Sequence, residues 1–216
     1  MFEKIARSLS GMVQIPTVSG AGNEALYEIG RYKEYLEQEF ANLFGQAERT
    51  LIGEAVLLRI KGSAPGEKLP VLFTGHMDVV PADEAAWKYP PFSGAIVDGS
   101  IWGRGTQDMK GPQCALLSAF DALLSEGWQP ERDIWLYLSC DEEIGGPTTE
   151  KAAAWLKKMG IHFAMVFDEA DRRKGGALGY LGEGLPGVPF HGKICRRPRC
   201  KPAAAFCDRA ARGADA

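Results

Sequence analysis

The feature that most constrains this chain is a set of short apolar runs that each end abruptly in acids or a histidine. Val71-Leu-Phe-Thr leads into His76-Met-Asp78. Ile134-Trp-Leu-Tyr-Leu leads into Asp141-Glu142-Glu143, and Phe163-Ala-Met-Val-Phe into Asp168-Glu169. Continuous apolar runs of this length read as strands covered on both faces, the kind found in parallel sheets. Amphipathic stretches separate them, roughly 109–126 with Leu116, Phe120, Leu123 and Leu124 on one stripe, and roughly 148–159. This alternation predicts an α/β fold with a largely parallel sheet flanked by helices. Ligands bind such sheets beyond the carboxyl ends of the strands. Three motifs far apart in sequence therefore converge on one edge, and Asp108, opening the helix between them, joins them.

The N-terminal third fits the same plan. Residues 2–12 read as a short helix ended before Pro16. Ile29, Tyr32, Leu36, Phe40 and Leu43 recur at three- and four-residue steps, predicting one helix over 23–44 with Asn23 as N-cap and Gly45 as its stop. Runs at 47–52 and 54–60, parted by Gly53, read as strands. Asp98-Gly99 between Ala95-Ile-Val and Ile101-Trp signals a hairpin that delivers the chain to Gly103-Arg-Gly and Asp108.

The formal net charge is −3, so nothing overall suggests a nucleic-acid partner. The N-terminus has no long apolar segment of the signal-peptide kind, and no run is long enough to span a membrane. Five cysteines lie without disulfide-like spacing, which suits a reducing cytoplasm. Composition divides the chain at about residue 182. Residues 1–182 hold 18 basic and 25 acidic side chains, whereas 183–216 hold 7 and 3, with three of the five cysteines. The expectation is a catalytic-type unit over 1–182 and an aperiodic tail over 183–216.

Taken singly, the polar motifs have plain explanations: a structural histidine, a solvated acidic turn, a helix cap at Asp108, a polar strand end at Asp168. Together they offer more. A His with a carboxylate two residues later forms a metal ligand and the partner that fixes its tautomer. Adjacent carboxylates repel one another where water is scarce, unless a cation is near. In such a triplet one acid can bind metal while its neighbour works as a general base.

The resemblance becomes specific when the motifs are taken in order. His76-Met-Asp78-Val-Val-Pro81, Pro91-Phe-Ser-Gly, Gly103-Arg-Gly-Thr-Gln-Asp108-Met-Lys-Gly111, Asp141-Glu142-Glu143-Ile-Gly-Gly146 and Val166-Phe-Asp168-Glu, with Ile15-Pro-Thr-Val-Ser19 before them, resemble the co-catalytic zinc peptidases. That family includes glutamate carboxypeptidase, succinyl-diaminopimelate desuccinylase, acetylornithine deacetylase and aminoacylase. The likeness covers about residues 1–170. It implies a zinc exopeptidase architecture and hydrolysis of amide bonds in small peptides or N-acyl amino acids. It implies that His76 and Asp168 bind a first zinc, Glu143 a second, and Asp108 both, with a cis peptide from Asp108 to Met109. Asp78 would orient His76, and Glu142 would act as general base on a water shared by two ions about 3.5–4 Å apart.

The family also has a late histidine for the second zinc and a smaller dimerisation domain, and this sequence matches neither. His162 precedes a strand, at the end away from the site. His191 falls in the tail, where Cys195, Cys200 and Cys207 have no paired metal-binding spacing and Arg196-Arg-Pro-Arg-Cys-Lys201 has no fold to present it to a nucleic acid. The tail reads as out-of-frame translation following a truncated catalytic portion. On that reading the second zinc is weak, turnover is little or none, and an unpaired apolar sheet edge invites aggregation. A metal-binding remnant or interaction module derived from such a hydrolase is the alternative.

Overall fold

A computed structural model describes residues 2–20, 22–64, 66–168 and 179–182. The predicted tail, with His191 and its three cysteines, and Glu169 lie outside the described residues, and so does the proposed domain boundary beyond 182. Helices α1 (Phe2–Val13), α2 (Asn23–Glu39) and α3 (Ala41–Gln46) precede the hairpin β1 (Glu48–Ile52) and β2 (Ala55–Ile60). Strand β3 (Val71–His76) follows, then the hairpin β4 (Ala95–Val97) and β5 (Ser100–Trp102), and α4 (Lys110–Ser125). Strand β6 (Ile134–Ser139), helix α5 (Thr148–Lys158), β7 (Met165–Asp168) and β8 (Gly179–Gly182) complete the described elements.

Six strands form one sheet in the order β1-β2-β6-β3-β7-β8. The expected α/β class holds, with parallel pairing confined to the three central strands, β6, β3 and β7. The flanks are antiparallel. On the β1 side the reason is local: only Gly53 and Glu54 join β1 to β2, with Gly53 at φ +62°, and so short a link turns the chain back on itself.

Alternation along the strands divides the core into two layers. Val56, Leu58, Ile60, Leu136 and Leu138 pack with Tyr32 and Leu36 of α2 and with Leu117 and Phe120 of α4. Ala55, Leu57, Leu72, Trp135 and Tyr137 face the other way, onto Ala152 and Leu156 of α5. Strands covered on both faces explain the unbroken apolar runs. The described edge strand β1 is not apolar: Glu48 and Arg49 open it, and Glu48 pairs with Arg59 at 3.1 Å and Lys61 at 2.6 Å.

Three local predictions need correction. The single helix over 23–44 breaks at Phe40, and Gly45 lies inside α3 rather than ending it. Asp121 of α4 causes this break: its Oδ1 accepts from the amides of Asn42 and Leu43, capping α3 from 79 residues away. Asn23 is the first helical residue, not the cap, because Gly22 occupies that position and no side chain caps α2. The Asp98-Gly99 turn has φ of +50° and +73°, the two left-handed residues a tight hairpin turn requires.

Among the described residues, no helix is long and apolar enough to cross a membrane. Cys114 and Cys140 are free thiols.

Candidate metal centre

The parallel centre places the site. Its register pairs His76 with Ser139, so β3 and β6 end level. Phe73 pairs with Phe167, which leaves Asp168 beside Thr74, two positions short of His76. Beyond these ends lie the His76–Asp78 loop and the Asp141–Gly146 turn.

His76 is 1% exposed, and its surroundings fix the ring. Its Nδ1 lies 2.8 Å from the Asp78 carbonyl oxygen and 3.5 Å from Asp78 Oδ1. Assigning the Nδ1 proton to that carbonyl leaves Nε2 with a lone pair. Nε2 sits 2.9 Å from Asp108 Oδ1. A lone pair facing a carboxylate oxygen at that distance is repulsive unless a proton or a cation mediates the contact. The backbone of His76 is held too: its amide donates to the Met109 sulfur at 3.2 Å, and its carbonyl accepts from Gln113 Nε2 at 3.3 Å.

Asp78 is the hub that ties this loop to the acidic turn. Its Oδ1 accepts from the Glu142 amide at 3.1 Å, and Oδ2 from the Glu143 amide at 3.0 Å and the Ser19 hydroxyl at 2.7 Å. Burial alone would push its carboxyl upward. His76, Ser19 and the Glu143 amide outweigh burial and hold it below the ordinary Asp value. Ser19 belongs to the segment 15–19, which bridges to Val79 through Val18. Sequence reasoning gave Ser19 no role, although the motif containing it was visible.

The acidic triplet divides its work. Asp141 turns away: Oδ2 accepts from the amide and hydroxyl of Thr148 at 3.1 and 2.5 Å, securing the start of α5. Gly146 is required beside it, since a Cβ there would lie 2.1 Å from Asp141 Oδ2. Glu142 and Glu143 face the histidine. Ligand atoms of His76, Glu142 and Glu143 lie within 4.8 Å of one another, the one such group among the described residues. Imidazole nitrogen with carboxylate oxygen is a donor set suited to zinc, and a bound cation, like a proton on Nε2, would relieve the Nε2–Asp108 contact. The residues present therefore fit the metal.

Asp108 abuts this group through His76 but does not belong to it, and its side chain is 68% exposed. The Asp108–Met109 peptide is cis, as the resemblance implied. Asp168 is bonded to the Thr74 hydroxyl and is not in the group either. His162 is exposed at the opposite end of β7.

Lys110, which sequence reasoning left without a role, anchors the turn carrying Asp108. It is wholly buried, donating to the carbonyls of Met12 at 2.9 Å and Ile15 at 2.7 Å under the ring of Tyr32. Burial pushes its ammonium down to about 7, against the pull of Glu28 and Asp78.

With this geometry in view, the comparisons with known proteins are decisive. The profile of peptidase family M20/M25/M40 matches residues 72–187. The chain belongs to this family. A similar M20 relative is the cattle (Bos taurus) N-fatty-acyl-amino acid synthase/hydrolase PM20D1, 38% identical over 182 residues, which are 81% of this chain and 35% of that protein. Another is the probable carboxypeptidase S-like 2 of Dictyostelium discoideum, 39% identical over 123 residues, 55% of this chain and 23% of that one. Among solved structures, the M20 metallo-carboxypeptidase Sso-CP2 of Sulfolobus solfataricus matches with a TM-score of 0.63 at 26% identity, covering 77% of this chain and 37% of that chain. The chain thus spans about a third of the length of the first of these relatives.

Proposed function

We propose that this chain carries the zinc-binding and proton-transfer part of an M20 hydrolase that cleaves amide bonds in N-acyl amino acids or small peptides. One observation carries the reading: an imidazole nitrogen and two adjacent carboxylates gather within 4.8 Å at the ends of parallel strands. The names of the relatives, an N-fatty-acyl-amino acid hydrolase and a carboxypeptidase, support the substrate class.

In this reading His76 and Asp168 would hold a first zinc and Glu143 a second, with Asp108 serving both. Bound zinc supplies Lewis acidity toward the scissile carbonyl and acidifies a water. Asp78 holds the Glu142 and Glu143 backbone in place through their amides and fixes the His76 tautomer through the loop. Glu142, sharing the site without being needed as a ligand, takes the proton of the attacking water on a carboxylate oxygen. It then delivers that proton to the leaving amine nitrogen.

The test is amine release from N-acyl amino acids and dipeptides by the zinc-supplemented chain and by its Glu142→Gln variant. Zinc-dependent release should fall on the order of 10²–10⁴-fold in the variant with bound zinc unchanged. Equal activity in the variant overturns the role of Glu142, and release that is unchanged when zinc is removed overturns the metal-hydrolase reading.

A further inference from the structure

The main chain of His76 is gripped on both sides by the first turn of α4. Met109, at the helix cap, takes the His76 amide on its sulfur at 3.2 Å. Gln113, one turn further on, donates from Nε2 to the His76 carbonyl at 3.3 Å. The two gripping residues are locked together, since the Gln113 amide donates to the Met109 carbonyl at 3.0 Å. Their approach to β3 is close. A Cβ on Gly75 would lie 3.0 Å from Met109 Cε and 3.2 Å from its sulfur, so glycine before His76 leaves room for the thioether.

Helix α2 sets the orientation of Gln113. The Tyr32 hydroxyl donates to Gln113 Oε1 at 2.5 Å. Both contacts demand the same orientation of the amide. The His76 carbonyl can only accept, so Nε2 faces it; Oε1 then faces the phenol, whose hydroxyl must donate. Burial, above all, pushes that hydroxyl well above the ordinary tyrosine value, so it keeps its proton. Tyr32, Gln113 and His76 are each at most 1% exposed, so bulk water does not compete for these bonds. A buried amide is costly unless it is paired, and an apolar side chain would fill the same place in the α4 core stripe without that cost. Packing alone therefore does not account for Gln113.

We infer that Gln113 is a positioning residue for His76, held in its working orientation by Tyr32. It reaches no reacting atom. It fixes the His76 carbonyl as Met109 fixes the amide, and so sets the point from which the imidazole leaves β3. The inference rests on the reading of His76 as a metal ligand and adds a second support to it: Asp78 holds the ring through Nδ1, whereas Tyr32 and Gln113 hold the backbone that carries the ring.

The test compares Gln113→Met, which nearly keeps the volume and removes both side-chain bonds, with the milder Tyr32→Phe and with the two combined. In the zinc-free proteins, amide hydrogen exchange at His76 should quicken roughly five- to tenfold in Gln113→Met, the equivalent of about one net hydrogen bond. The amides of β2, in the same core, should keep the parent's rates. Calorimetry should show zinc affinity lower by roughly 10–100-fold in Gln113→Met and by less in Tyr32→Phe. Because Tyr32 acts through Gln113, the double variant should be no worse than Gln113→Met alone. Exchange that quickens equally at His76 and throughout β2, or fully additive losses in the double variant, overturns the inference. The two readings fail separately. Zinc binding by the parent that Gln113→Met keeps in full sinks only this inference. Faster exchange confined to His76, with no zinc binding by the parent, upholds this inference and sinks only the metal reading.

Discussion

Two carboxylates flank the same imidazole, and the fold treats them oppositely. Asp78, 1% exposed, accepts three hydrogen bonds from Ser19, Glu142 and Glu143. Asp108, with its side chain 68% exposed, meets His76 Nε2 from the solvent side. One nitrogen of the ring is therefore committed to structure and the other to whatever enters the site. The difference teaches how a metal ligand is built: rigidity is supplied from behind, through buried amides and a carbonyl, and the front is left open.

The comparison breaks most visibly at Asp78. Asp78→Ala leaves the half-buried amides of Glu142 and Glu143 without their acceptor, leaves the Ser19 hydroxyl only the Val79 carbonyl, and removes the charge facing His76. The expected cost is about 3–5 kcal/mol in a urea melt, with zinc affinity lower by roughly 10–100-fold. A loss below about 1 kcal/mol would mean that Asp78 is not the hub. Lys110→Met attacks the support beneath the Asp108 turn. It removes one of two donors from each of two carbonyls, which keep the amides of Ile15 and Thr17, and the same melt should show a loss of about 1–2 kcal/mol.

Acid sharpens the contrast. The folded Asp78 carboxyl titrates below the ordinary value of 3.8. Its stabilising contribution is therefore fully present above that value and is lost as pH falls through the lower, folded value. The stability gap between the wild-type chain and Asp78→Asn should be widest above about pH 4 and narrow below it. A gap that stays constant down to pH 2 would contradict a depressed carboxyl. Asp108→Ala should give the smallest stability change, within about 0.5 kcal/mol. Its zinc affinity should nevertheless fall by more than the 10–100-fold typical of an outer partner.

Much of this was legible in the sequence because strand burial and turn chemistry are local. The apolar runs at 71–74 and 134–138 became β3 and β6, and Asp98-Gly99 made its turn. The motif residues His76, Glu142 and Glu143 met because topology carried the ends of two neighbouring strands, β3 and β6, to one edge. What stayed hidden depends on partners distant in sequence. The break at Phe40 is dictated by Asp121, and Asp141 leaves the triplet to secure Thr148. The buried ammonium of Lys110 finds its acceptors 95 and 98 residues away. The antiparallel flanks of the sheet were obscured for a different reason, since apolar runs do not encode strand direction.

The central claim is that His76 and Glu143 belong to one metal centre, with Glu142 beside them as its base, and that its imidazole is held by the fold. Calorimetric titration of zinc into the purified chain and into His76→Ala tests it most directly. The account predicts saturable zinc binding by the chain and its loss in the variant, which keeps its fold by circular dichroism while melting at a lower temperature for want of the buried ring. Equal zinc affinity in the two proteins would contradict it.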